Sequence, residues 1–252
     1  MGANRVKRLY ATADLHADFA DNWTWLSEVP RTGLGDAGLI VAGDIGHRLQ
    51  LVEDTLRLLG TRFGRVFFVP GNHDLWVEEG AADSLQKMAR LLEVCLRLGV
   101  ETGPADVAGA RVVPLYSWYD HEFGGEGGAG PPKGWADRRY CRWPEGIGPV
   151  DRYMDGLNPA SAEEGPLVTF SHFVPRLELL PAPAFLRFKA LPRVAGSRLI
   201  EARLRALGSR LHFFGHTHIR CDRRLGGVRY VQDGLGYPRE RRRRDYAFKR
   251  LV

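Results

Sequence analysis

Asn72, His73 and Asp74 stand in a row just after the apolar run Val66-Phe67-Phe68-Val69, from which Pro70 and Gly71 separate them. The run reads as a buried strand, and Pro-Gly as the turn that ends it. Three chemistries then meet at one turn. Asn72 offers a neutral carbonyl oxygen, His73 a proton-transfer group near neutral pH, and Asp74 a carboxylate able to orient an imidazole. Such a tripeptide could equally be a hydrogen-bonded strand end.

The same grammar recurs along the chain. Residues 8–13 read as a strand ending in Asp14 and His16, which share one side because side-chain direction repeats every second residue. Residues 37–42 form an apolar run ending in Gly43-Asp44, residues 166–170 one ending in Ser171-His172, and residues 211–214 one ending in Gly215-His216-Thr217-His218. A lone histidine after a strand is ordinarily a hydrogen-bonded one. Asp, His or Asn at the same end of five strands points to a metal site. Mixed imidazole and carboxylate ligands suit Mn2+, Fe or Zn2+ better than Ca2+. Two neighbouring cations need a shared anion between them, and Asp44, alone at its strand end, is the natural bridge.

The elements that must position these groups alternate. Helical periodicity covers residues 19–29, 48–63, 82–98 and 197–207, and short strands are expected at 111–116 and 228–231. Strand–helix alternation predicts an α/β protein with its functional groups at carboxyl ends of strands. Residues 119–165 break the pattern with Gly, Pro, aromatics and charges, which suggests a lid or substrate-binding insertion. Within it Arg138, Arg139, Trp135 and Tyr140 are the candidate substrate contacts; the alternative is a satellite aromatic core. Residues 175–192 are punctuated by proline and read as a loop passing near the site.

Composition narrows the classes. The chain has 252 residues, 44% hydrophobic and 26% charged, as expected for one globular domain spanning residues 1–252. No apolar run approaches the roughly 20 residues of a membrane span, and the N-terminus lacks a cleavable signal pattern. The three widely spaced cysteines, Cys95, Cys141 and Cys221, suit a reduced cytoplasm. Net charge is +6, of which residues 239–250 supply +5, so the remainder is near neutral and the tail reads as a solvated end.

Taken together, Asp14-x-His16, Gly43-Asp44, Gly71-Asn72-His73-Asp74, His172 and Gly215-His216-x-His218 resemble the calcineurin-like metallophosphoesterase superfamily. The resemblance implies a four-layer α/β/β/α sandwich of two mixed sheets. It implies one metal on Asp14, His16, Asp44 and His218, and a second on Asp44, Asn72, His172 and His216. His73 would protonate the leaving oxygen or steady the transferring phosphoryl group, with Asp74 behind it. A metal-held water, its pKa lowered to about 7, would attack phosphorus in line. Departures are Ala17 where the superfamily usually has Gly, and Ile45-Gly46-His47 where a carboxylate often follows the second motif. Asp74 stands where the protein Ser/Thr phosphatases carry Glu, and their following Arg is missing, which argues against that branch.

The reading is therefore hydrolysis of a phosphate ester of a small molecule or nucleotide, in a pocket closed by the insertion. A nuclease or other phosphodiesterase acting on nucleic acid is the alternative, and a non-enzymatic scaffold is disfavoured by the intact ligand set.

Overall fold

The structure is a computed structural model that describes residues 6–77, 80–125, 130–161, 165–241 and 246–252. Its strands are β1 (Arg8–Thr12), β2 (Ala37–Ala42), β3 (Arg65–Val69), β4 (Ala105–Val107), β5 (Ala110–Pro114), β6 (Leu167–Phe170), β7 (Leu211–Phe214), β8 (Cys221–Leu225), β9 (Val228–Gln232) and β10 (Lys249–Arg250). The helices are α1 (Ala20–Ser27), α2 (Leu49–Gly60), α3 (Ser84–Leu98), α4 (Asp137–Tyr140), α5 (Val150–Gly156), α6 (Pro192–Ala195), α7 (Arg198–Ala206) and α8 (Pro238–Arg241).

One sheet runs β10-β1-β2-β3 and the other β4-β5-β6-β7-β9-β8. Strands β1–β3 are parallel, as are β5, β6, β7 and β9, while β10, β4 and β8 pair antiparallel at the edges. Alternation along each strand builds the layers. Leu9, Ala11, Ile40, Ala42, Phe67 and Val69 face Val112, Val168, Phe170, Phe213 and Val231 in a core between the sheets. The opposite faces, with Leu39, Val41 and Phe68 on one sheet and Leu167, Phe214 and Tyr230 on the other, are covered by helices. The result is the expected α/β/β/α sandwich.

Two expectations change. The insertion 119–165, of which 126–129 and 162–164 lie outside the described residues, has more regular structure than its lack of periodicity suggests: it carries α4 and α5, and Phe123, Asp137 and Met154 are buried. The basic tail, of which residues 242–245 lie outside the described residues, is not solvated throughout either. Lys249 and Arg250 pair with Ala11 and Tyr10, and the Tyr246 hydroxyl shares a 2.6 Å hydrogen bond with Thr12 Oγ1. Apolar Tyr246 and Leu251 outweigh the charge around them, so the chain end becomes an edge strand.

Candidate metal centre

The parallel strands of both sheets deliver their carboxyl ends to one edge of the sandwich. There Asp14, His16, Asp44, His216 and His218 all take positive φ, between 41° and 74°. Each left-handed non-glycine residue costs on the order of 1 kcal/mol, a strain that clusters at functional sites. Glycines make the close approaches possible. A Cβ on Gly43 would lie 2.6 Å from His172 Nδ1 and from Gly71 N, and one on Gly215 would lie 3.0 Å from Asp14 Oδ2.

Asn72, His172 and His216 show why a cation fits. His172 Nδ1 lies 2.8 Å from Ala42 O, and His216 Nε2 lies 2.9 Å from Val194 O. A carbonyl only accepts, so those nitrogens carry the hydrogens. Burial lowers both pKa values, His172 to about 3, and keeps the rings neutral. His172 Nε2 and His216 Nδ1 therefore present bare lone pairs, 3.1 and 3.0 Å from Asn72 Oδ1. The Asn72 amide hydrogens cannot intervene, because Nδ2 donates to Asp137 Oδ1 at 2.9 Å. Three acceptors converge with no hydrogen among them, an arrangement that repels itself unless a cation fills it.

Asp14, His16 and His218 form a second cluster. His218 Nδ1 donates to Glu240 Oε2 at 2.8 Å, so its Nε2 lone pair faces His16 Nε2 at 3.1 Å and Asp14 Oδ1 at 3.6 Å. Asp14 Oδ1 accepts the His216 backbone N–H at 2.8 Å, while buried Asp14 Oδ2 and His16 Nδ1 have no hydrogen-bond partner among the described residues. Asp44 lies between the two groups. Its Oδ1 is 3.5 Å from His172 Nε2, and its Oδ2 is 3.9 Å from His73 Nε2. Ligand atoms of Asp14, His16 and His218, of Asp44, His172 and His216, and of His16, Asp44 and His73 each lie within 4.8 Å of one another.

The electrostatics agree. Burial pushes the Asp14 carboxyl up to about 6, and burial with Asp74 and Asp14 nearby holds Asp44 well above the usual carboxylate range. Burial keeps the neighbouring His16, His172 and His216 rings neutral, so these carboxylates carry negative charge that divalent ions suit.

His73 and Asp74 part company. They occupy a 3-10 turn, His73–Leu75, where successive side chains splay by about 120°. The His73 ring stacks on Trp76, centroids 3.8 Å apart, and meets His16 edge-on at 4.9 Å. Asp74 does not sit behind it as expected. Its carboxylate turns under the Asp44 loop and accepts backbone N–H groups of Gly71, Asp44, Ile45 and Gly46 at 2.8, 2.8, 3.0 and 3.1 Å. Asp74→Ala would strand these donors, and we expect a loss of at least about 3 kcal/mol of unfolding free energy in metal-free protein. Denaturant melts measure it; a loss below about 1 kcal/mol would show that the loop holds itself.

Of the four candidate substrate contacts, two lie against the site. The Trp135 ring is 6.3 Å from that of His216, and Tyr140 stacks on Trp76 at 4.9 Å. The Arg139 guanidinium lies over Tyr140, 5.3 Å from its centroid. Arg138 instead lines an open cleft of about 650 Å3 in the insertion, shared with Trp118, Tyr119 and Trp143. Residues 175–192 lead directly into α6, which carries the Val194 carbonyl to His216. Sequence reasoning missed Glu240 and Asp137. It also missed Tyr237, which stacks on His16 at 4.4 Å, and Trp76.

The calcineurin-like phosphoesterase family model matches residues 7–220. Acyl-carrier-protein phosphodiesterase PptH of Mycobacterium tuberculosis is 28% identical over 282 residues, covering 97% of this chain and 82% of that protein. The crystal structure of phosphopantetheinyl hydrolase PptH from the same organism superposes with a TM-score of 0.77 at 23% identity, covering 99% of this chain and 97% of that one. That second likeness is one of fold. The two-sheet sandwich, the strand-end cluster and the family match together establish that the chain belongs to the calcineurin-like phosphoesterase family and is a metal-dependent phosphoester hydrolase.

Proposed function

We propose that the chain hydrolyses a phosphodiester at a two-metal centre, and that its substrate class is a phosphopantetheinyl group carried on a protein. Asp14, His16, Asp44 and His218 would hold one ion, and Asp44, Asn72, His172 and His216 the other. The observation that carries the two-metal reading is the pair of Asp/His clusters on either side of Asp44, in which outer acceptors leave His172, His216 and His218 with inward lone pairs. Two divalent ions, Mn2+, Fe or Zn2+, would supply a nucleophilic water and neutralise phosphoryl oxygens.

The chain's own residues do the rest. The outer acceptors Ala42 O, Val194 O and Glu240 fix three imidazoles in one tautomer and orientation. His73, with its side chain 15% exposed, stands at the mouth, and its ring is placed to hand a hydrogen to the leaving oxygen or to steady the phosphoryl group. Trp76 fixes the plane of that ring.

The substrate class rests on the PptH relative's name and on the rim. Phe19, Tyr140 and Phe188, each stacked on or edge-on to a ring bordering the site, are 43%, 38% and 42% exposed. An open aromatic rim accommodates a phosphodiester presented by a macromolecule better than the closed small-ester pocket expected from sequence. The test is mass spectrometry of holo acyl carrier protein incubated with Mn2+-loaded enzyme. Loss of the phosphopantetheine mass is the expected result. Turnover of only small phosphate esters, or of DNA or RNA with a steep salt dependence, would replace the substrate class and leave the metal centre standing.

A further inference from the structure

Asp137 opens α4 in the insertion, 65 residues from Asn72, and is 3% exposed. Its Oδ1 accepts Asn72 Nδ2 at 2.9 Å and Trp76 Nε1 at 2.7 Å, and its Oδ2 accepts Trp135 Nε1 at 2.8 Å. The Tyr119 hydroxyl bonds the same carboxylate, and all of these donors are neutral. One carboxylate oxygen thus holds both the candidate ligand Asn72 and Trp76, the two residues that flank the His73 turn.

The Asn72 amide has two orientations. In the one observed, its oxygen faces the lone pairs of His172 and His216, which leaves the cluster open to a cation. Flipped, its NH2 would donate to both lone pairs and quench the cluster without any metal. Local chemistry around the histidines favours the flipped form. Only an acceptor behind Asn72 opposes it, and Asp137 is that acceptor. Its negative charge also polarises the amide, which makes Oδ1 a stronger ligand.

We propose that Asp137 is a positioning residue that locks the Asn72 amide with its oxygen toward the second metal subsite, so that folding of the insertion and completion of that subsite are coupled. The same carboxylate holds Trp76, on which His73 is stacked, so one group from the insertion sets both the ligand and the plane of the proposed proton donor. This rests on the two-metal reading above.

Zn2+ and Mn2+ titrations against a chromophoric chelator test it, on wild type, Asp137→Ala, Asp137→Asn, and Asp137→Asn combined with Asn72→Asp. Wild type should bind two equivalents; binding of one only would sink the two-metal reading itself. Asp137→Ala should keep one equivalent at wild-type affinity and weaken the other by roughly 10–100-fold. The double variant exchanges the two side chains. It puts a carboxylate, which has no wrong orientation, at the ligand position, and behind it an amide whose NH2 can donate to it at the cost of the Trp76 Nε1–H bond. Second-ion binding should recover there relative to Asp137→Asn alone. Metal-free melting curves establish that each variant is folded. Two equivalents at wild-type affinity in Asp137→Ala overturn the proposal. So does equal weakening of both ions with no recovery in the double variant, since a merely structural role predicts that.

Discussion

His73→Asn is expected to retain its metals and lose at least about 100-fold in kcat, within the roughly 10²–10⁴ range of general acid catalysis. Its neighbour Asn72 turns its oxygen into the second cluster, whereas the His73 ring lies on Trp76 at the mouth, with Nε2 3.9 Å from Asp44 Oδ2. That distance is within reach of an ion, so metal content is the first measurement, and a lost equivalent would make His73 a ligand. The second is leaving-group dependence. In the metal-free site, burial and the imidazoles of His216, His218 and His47 push the His73 pKa down to about 3, so the ring is neutral at pH 7. A neutral ring can donate a hydrogen bond to a phosphoryl oxygen; to deliver a proton it must first be charged by an arriving phosphate anion. Proton delivery predicts a large loss for alkoxide leaving groups that shrinks for nitrophenolate. A uniform loss across leaving groups would leave His73 only the task of steadying the phosphoryl group.

The strand-end pattern is legible in the sequence because largely apolar runs are each followed, after a one- or two-residue turn, by a polar residue with ligand chemistry, and that order survives without any tertiary information. What is not legible lies across long stretches of chain. Glu240 reaches His218 over 22 residues and Asp137 reaches Asn72 over 65, each from a segment without periodicity. Asn22 reaches further still. Its amide donates to Leu15 O and to Gly236 O, 214 residues away, and so ties the first ligand loop to the segment carrying Tyr237 and Glu240. Strand β8, Cys-Asp-Arg-Arg-Leu, stays hidden because an exposed edge strand needs no apolar face and gains from charge. Asp74 misleads differently. Its carboxylate does orient a neighbour, but adjacency in sequence suggests a partnership with His73 that the tight turn forbids.

Asp44→Asn is expected to have the largest effect of any single substitution. Asp44 is the one carboxylate common to both proposed ligand sets, 2% exposed, with Oδ1 fixed by the His73 backbone N–H at 2.9 Å. Asparagine keeps the shape and removes the charge that would offset repulsion between two cations. Its oxygen would stay on the His73 N–H, which puts the NH2 at the Oδ2 position, 3.9 Å from His73 Nε2, where it has no charge to offer a cation. Metal content should fall from about two equivalents to below one, and kcat/KM by about 10³-fold or more, near 4 kcal/mol at roughly 1.36 kcal/mol per decade. Stability should move the other way. Burial and the nearby Asp74 and Asp14 carboxylates make the charged form of Asp44 costly in the metal-free protein, so the neutral amide relieves it. Metal-free Asp44→Asn should therefore melt above metal-free wild type, while added Mn2+ or Zn2+, which raises the wild-type melting temperature by mass action, should do little for the variant. An unchanged response to metal together with full activity would remove Asp44 from the bridging position. A variant that melts lower than wild type without metal would show instead that the Asp44 carboxylate holds the loop through its His73 N–H bond more than it strains the site.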